Sequence, residues 1–334
     1  MTRETAKQAF LKRIGWAEAA QKPLAGDASN RRYDRLNLMG TPAVLMDAPP
    51  EKGEDTRPFT AMARYLTSIG LSAPEILGED AENGFLLLED LGDALFARVT
   101  AADPKAEEPL YHAAVDALLH LHAQTPPDLA PYDAETMAPL GTLALDWYAA
   151  GLQGMAPAAT PADHPLHTEL HRLLTATQPA APVLVQRDFH AENLLWLPER
   201  AGVARVGLLD FQDARLGHPA YDLVSLLYDA RRDVSPAVQN SAMARYIQGA
   251  SLDAESFQTA AATQSAQRNL RILGVFARLS LRDNKAHYVD LIPRVWRNLM
   301  ADLSHPALAP LRKIALEHLP EPTAERLATL KGGA

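Results

Sequence analysis

No cysteine occurs among the 334 residues, so disulfides, thiolate nucleophiles and cysteine-ligated metals are excluded outright. No stretch reaches the roughly 20 apolar residues that span a bilayer, and the opening Met1-Thr2-Arg3-Glu4 is charged where a secretory signal would be apolar. The expectation is a soluble, unprocessed, cytoplasmic chain with no membrane partner. A basic excess is missing as well: the formal net charge is -9. Nucleic-acid binding relies on clustered Lys and Arg to release counterions, so no nucleic-acid partner is expected. Neither an internal repeat nor an obligate protein partner is evident.

What is there suffices to fold. Apolar residues make up 47% and charged residues 22%, a globular balance that can offset the chain entropy lost on folding. The length exceeds one compact core, which predicts two lobes. Thr2 to Ala20 spaces Ala6, Phe10, Ile14 and Trp16 for an amphipathic helix with Thr2 as its cap. Strand-like runs follow at Pro23 to Gly26, Arg31 to Leu38 and Ala43 to Met46, parted by turn residues as in a β-meander. Thr56 to Gly70 carries apolar residues three and four apart, which predicts a helix on the meander that stops at a glycine.

Two more runs, Glu75 to Leu77 and Phe85 to Leu88, end the strand-rich part, and Leu88 to Gly92 reads as a connector. Beyond it lie helices over Ala106 to Ala123, Ala138 to Ala149, His164 to Thr177 and Tyr221 to Ala230, with more through Leu330. One hairpin insert is expected between Val183 and Phe211. The fold class is α+β: a small β-rich N-terminal lobe over residues 1–91 and a large, mainly helical C-terminal lobe over 92–334.

Chemistry concentrates in Val183-Leu184-Val185-Gln186-Arg187-Asp188-Phe189-His190-Ala191-Glu192-Asn193 and in Val206-Gly207-Leu208-Leu209-Asp210-Phe211-Gln212. An apolar strand delivers Asp188 to a tight loop, Asn193 follows five positions later, and a second strand carries Asp210 to its end. Phosphoryl transfer needs an acceptor oxygen in line, a held triphosphate and hard cations with oxygen ligands. An Asp that takes the hydroxyl proton, with an Asn and an Asp on Mg²⁺, supplies those parts. The Asp188 to Asn193 spacing equals that of the kinase catalytic loop, and Asp210-Phe211-Gln212 stands where Asp-Phe-Gly would be.

On these residues, together with Leu24 to Tyr33, Val44 to Glu51 and Phe85 to Gly92, the chain resembles the aminoglycoside phosphotransferase and choline kinase family. The resemblance runs from the first helix to about Asp229 and weakens beyond. It implies a bilobal protein-kinase-like fold, ATP and Mg²⁺ as cofactors, Asp188 as the base and Asn193 and Asp210 as metal ligands. It further implies the backbone of Glu89 and Leu91 as the adenine hinge, and Gly26, Ala28, Ser29 and Arg31 as phosphate contacts. Within the family the text is similar to bacterial kinases acting on the anomeric hydroxyl of N-acetylmuramate and N-acetylglucosamine in cell-wall recycling, so a small amino sugar is the implied acceptor. By the same resemblance Asp222 braces the catalytic loop through hydrogen bonds.

Two departures stand out. The family's β3 lysine aligns with Met46, and its partner glutamate is not evident among Phe59 to Leu66. Arg31, Arg32, Arg35, Lys52 or Arg57 could donate to phosphate instead. His190 and Glu192 are candidate acceptor contacts or supports of the loop, and Gln212, Asp213 and Arg215 either line the acceptor pocket or shape the segment after Asp210. The turn at Gly26 to Ser29 has one glycine, and an ordinary hairpin is the other reading. His112, His120 and His122 lack the helical spacing of a metal site. Two functional alternatives remain: a kinase of an amino alcohol or aminoglycoside, and a non-catalytic nucleotide-binding relative that has lost the lysine.

Overall fold

Five short strands build an antiparallel sheet in the order β1-β2-β3-β5-β4, with β1 at Ala20–Pro23, β2 at Arg32–Leu38, β3 at Thr41–Asp47, β4 at Ile76–Asp80 and β5 at Phe85–Glu89. The computed structural model describes residues 2–24 and 30–332, so the turn at Gly26, Ala28 and Ser29 lies outside the described residues. Register places Leu36 opposite Ala43 and Leu45 opposite Leu87 on one face. Helix α1 (Arg3–Arg13) covers that face with Phe10 and Leu11, and Phe10 stacks on Phe85 at 5.8 Å. Met46 points to the opposite face, paired with Leu86 and buried.

The expected meander is present in β1 to β3, but its first strand lies earlier than Pro23 to Gly26. Helix α1 also ends sooner than Ala20, because Gly15 takes a left-handed φ of +79° just after Ile14 and turns the chain. Thr2 caps it as read, accepting from the Thr5 N–H at 3.2 Å. The helix expected from Thr56 to Gly70 is α2 (Arg57–Ser68), and it is followed by α3 (Phe96–Ala102) and α4 (Glu107–His122).

Contacts divide the chain into two compact units, Met1–Gln124 with Ala191–Ala214, and Thr125–His190 with Arg215–Ala334. The second is mainly helical: α5 (Ala134–Gly141), a π-helical stretch Ala144–Ala149, α6 (Ala150–Leu152), α7 (Pro165–Ala176), α8 (Ala220–Leu227), α9 (Pro236–Gly249), α10 (Ala254–Leu281), α11 (Ile292–Asp302), α12 (Ala309–His318) and α13 (Ala324–Leu330). Asp133, Ser235 and Asp253 cap α5, α9 and α10. The single hairpin insert expected between Val183 and Phe211 is instead two separate strand pairs. β6 (Val183–Val185) pairs with β9 (Arg215–Gly217), and β7 (Leu194–Trp196) pairs with β8 (Val206–Leu208).

Helix α10, 28 residues long, is the axis of the second unit. Gly274 lies against the backbone of Leu143, where an added Cβ would sit 2.2 Å from the Leu143 carbonyl carbon and oxygen. Backbone cannot retreat as a flexible side chain can. Gly274→Ala should therefore lower stability by about 2 kcal/mol, the balance of an overpacking cost of about 3 kcal/mol and roughly 1 kcal/mol gained in helix propensity. Urea melts of the two proteins check this.

A buried carboxyl ties α10 to α11. Asp302 accepts from Ser265 Oγ and Asn269 Nδ2, each at 2.8 Å, and burial pushes its pKa up to about 8. The folded pKa is above the unfolded one, so its contribution is complete below pH 4 and is lost as pH rises through about 8. Asp302→Asn, which imitates the protonated acid, should flatten the fall in thermal stability between pH 6 and 8, a slope of up to about 1.4 kcal/mol per pH unit. Parallel melting curves for variant and wild type would count against it.

Candidate active site

Strand β6 brings the chain to the loop that holds Asp188, and the loop is fixed from α8. Asp222 is fully buried at the start of α8, accepting from the backbone N–H of Gln186 at 2.6 Å and of Arg187 at 2.9 Å. The brace read from the sequence is thus present. Burial raises the Asp222 pKa to about 7, while the two N–H donors favour its ionised form. Arg187 adopts a left-handed φ of +74°, a conformation costly for a side chain with a Cβ and one that persists only where surroundings enforce it. The Asp222 bonds to the two successive N–H groups that lead into Arg187 are such an enforcement. Asp188 comes next and is half-buried.

His190, on the same loop, is buried. Arg231 Nη1 donates to His190 Nε2 at 3.2 Å, and because a guanidinium only donates, Nε2 is the acceptor and the ring proton is on Nδ1. Burial, then the cations Arg231 and Arg268, hold the His190 pKa well below its ordinary value, so the ring is neutral. Gln186, in the place before the aspartate where protein kinases carry histidine, is buried too, and its Nε2 has no hydrogen-bond partner among the described residues.

The other compact unit holds Asn193 and Asp210. Asn193 immediately precedes β7, and its carbonyl accepts from the Leu209 N–H at 3.0 Å, which ties it to the residue before Asp210. Asn193 Nδ2 is 3.5 Å from Asp210 Oδ2, and Gln212 Nε2 donates to Asp210 Oδ1 at 2.7 Å. Asp210 takes a left-handed φ of +58°, which aspartate tolerates better than most residues. Phe211 is buried behind it and stacks on Phe59 of α2 at 4.9 Å. Glu192 and Asp213 are exposed. One carboxylate and one amide oxygen are too few for an all-protein cation cage, but they suit Mg²⁺, which keeps waters and takes substrate phosphates as remaining ligands.

The nucleotide-side candidates that are described all belong to this unit. Glu89 ends β5, its backbone N–H donating to Glu75 O at 2.9 Å and its carboxylate receiving Arg200. Leu91 follows, with its side chain packed over Gly207 of β8, where a Cβ would meet Leu91 Cδ1 at 3.3 Å. Asp90 anchors the connector by accepting from the Gly92 N–H at 2.9 Å and pairing with Arg35 Nε at 2.6 Å. Arg35 also binds Asp93, and Arg31 pairs with Glu54 at 2.8 Å. His120 bonds the carbonyl of Ile69 at 2.6 Å.

Sequence reasoning did not single out Arg231, Asp229, Arg268 or Arg271. The signal was available in α10, whose Thr263-Gln264-Ser265-Ala266-Gln267-Arg268-Asn269 is polar yet buried. Polar residues filling a helix interior without solvent mark a place where side chains serve one another or a ligand.

A model of the phosphotransferase enzyme family matches residues 20–257. The N-acetylmuramate/N-acetylglucosamine kinase of Caulobacter vibrioides is 40% identical, with 93% of this chain and 95% of that protein covered. The kinase of the same name from Pseudomonas aeruginosa is 34% identical, with 92% and 91% covered. Among solved structures, a choline/ethanolamine kinase family protein from Mesorhizobium loti superposes with a TM-score of 0.63 at 15% identity, covering 99% of this chain and 100% of that one. An aminoglycoside phosphotransferase from Streptomyces rimosus, in complex with ADP and streptomycin, superposes with a TM-score of 0.52 at 17% identity, covering 81% and 99%. At such identities these two establish the fold alone, and it is the protein-kinase-like fold expected from the resemblance.

Proposed function

This chain belongs to the phosphotransferase enzyme family, and from that premise we propose that it transfers the γ-phosphoryl group of ATP to the anomeric hydroxyl of N-acetylmuramate and N-acetylglucosamine. The observation that carries the reading is the fixed catalytic loop: Asp222 holds two successive N–H groups immediately ahead of Asp188. An aspartate held in that way can orient the acceptor hydroxyl and take its proton as the oxygen attacks phosphorus. No nucleophilic side chain is needed, so transfer is direct and leaves no phosphoenzyme.

Asn193 and Asp210 would hold Mg²⁺, which when bound neutralises charge on the phosphates. Gln212 keeps the Asp210 carboxylate oriented through its 2.7 Å bond. Residues 1–91 form the nucleotide lobe in this reading, with Glu89 and Leu91 presenting backbone to the adenine, and residues 92–334 form the catalytic and acceptor lobe. Gly26, Ala28, Ser29 and Arg31 complete the phosphate side. Neutral His190 positions the loop from within, whereas Glu192, Gln212 and Asp213 are set nearer the acceptor. A cytoplasmic place in cell-wall recycling follows from such substrates; among the described residues no helix is long and apolar enough to cross a membrane.

An amino alcohol or aminoglycoside acceptor is the second reading. A cationic acceptor calls for an acidic pocket, but α10 carries Arg268 and Arg271 on the side that approaches Tyr221 and Asp222. Incubating the protein with ATP, Mg²⁺ and a panel of N-acetyl sugars, amino alcohols and aminoglycosides, with phosphorus NMR of the products, separates the readings. A sugar 1-phosphate is the expected product. Phosphorylation of choline or kanamycin in its place would reject the proposal, and ATP binding without any product would support the non-catalytic alternative.

A further inference from the structure

Arginines in the loop and helix region of the second unit differ in what they already hold. Arg231 donates to His190, and Arg294 pairs with Asp233 at 3.1 Å. Arg187 lies over the Tyr132 ring at 5.3 Å. Arg268 is buried among the charges of Asp222, Asp229 and Asp302. Arg271, one helical turn further along α10, is different. It is half-buried, and among the described residues its one hydrogen bond is from Nη1 to the hydroxyl of Tyr221 at 3.3 Å, with no carboxylate at ion-pair distance.

A neutral phenol aims this guanidinium without cancelling its charge. Tyr221 is itself fixed: it is fully buried, its ring meets Tyr132 edge-on at 5.1 Å, and the next residue is Asp222, which clamps the loop leading to Asp188. The field of Asp188 reaches Arg271 as well. A partly desolvated cation with no carboxylate at ion-pair distance among the described residues, on the support that carries the proposed base, is a site for an acidic group of the acceptor. The planar fork of arginine suits a carboxylate, which it can meet through two parallel N–H bonds. Of the two sugars, N-acetylmuramate alone bears one, on the lactyl ether at carbon 3.

We propose that Arg271, aimed by Tyr221, binds the lactyl carboxylate of N-acetylmuramate and so sets the preference between the two acceptors. The assignment rests on the sugar-kinase reading above and adds to it a residue that discriminates. N-acetylglucosamine has nothing for this guanidinium to bind, so the two sugars provide an internal comparison within one protein. The contact is made equally before and during transfer, so its loss raises KM for N-acetylmuramate more than it lowers kcat.

The test measures kcat and KM for both sugars with the full-length protein and with Arg271→Met, Arg271→Lys and Tyr221→Phe. Arg271→Met should lower the N-acetylmuramate to N-acetylglucosamine ratio of kcat/KM by about 100-fold, the scale for an unmade contact to a desolvated charge. Arg271→Lys should recover part of it, since charge is kept and the fork is lost. Tyr221→Phe removes one hydroxyl and should lower the ratio by about fivefold, the scale of one hydrogen bond. That variant carries the test if Arg271→Met does not fold. An unchanged ratio in the folded variants, or an equal loss on both sugars, overturns the assignment. If the wild-type protein phosphorylates neither sugar, the underlying sugar-kinase reading fails before any variant is compared.

Discussion

Asp188→Asn is expected to lower kcat by about 10³-fold, near the middle of the range for losing a positioned general base. The amide has the size of the carboxylate, so the backbone bonds of Gln186 and Arg187 to Asp222 remain and the loop keeps its form. What disappears is the acceptor for the hydroxyl proton. Nucleotide binding, assigned to residues of the other compact unit, should change by no more than about threefold, within the spread of single-contact effects. Calorimetry with ADP alongside a coupled assay of ADP release measures both quantities. Near-normal turnover in the variant would remove Asp188 from the role of base.

Asp210→Asn should be about as damaging, on the order of 10³-fold in kcat, by the measure of a lost charge-stabilising group. Two effects add. The proposed negative ligand for Mg²⁺ is removed, which should raise the apparent metal requirement at least about tenfold. The orientation of the side chain is also compromised: Asp210 accepts from Asn193 at 3.5 Å and from Gln212 at 2.7 Å through different oxygens. An amide has one oxygen, so it satisfies one of these donors and turns its own NH₂ toward the other. Magnesium titrations at saturating ATP report the first effect. A metal dependence like that of the wild type would place the ion elsewhere.

The sequence revealed what is short-range and chemical. The Asp188 to Asn193 spacing, the later Asp210, the Thr2 cap and the run from Phe85 are all patterns within a few residues of one another. Asp222 was legible through the resemblance, and its two N–H bonds bear that out. Pairing across long separations was not legible. β6 and β9 are three residues each with some thirty residues between them, too short for a period-two signal and too distant for a turn to announce them. The return of Ala191–Ala214 to the first compact unit is equally non-local. Gly274 could not be read as a packing residue either, because its reason is the backbone of Leu143, some 130 residues earlier. The polar residues of α10 drew no reading from the sequence, because their partners lie on another helix, as Asp302 of α11 does for Ser265 and Asn269.

The clamp of Asp222 on Gln186 and Arg187 has a consequence for the order in which the molecule is made. During synthesis the loop leaves the ribosome more than thirty residues ahead of the carboxylate that fixes it, and until α8 docks the N–H groups of Gln186 and Arg187 lack that acceptor. A nascent or half-unfolded chain therefore has the proposed base without its aim. In the proposed reading, chemical competence would arrive together with the tertiary contact that fixes the loop.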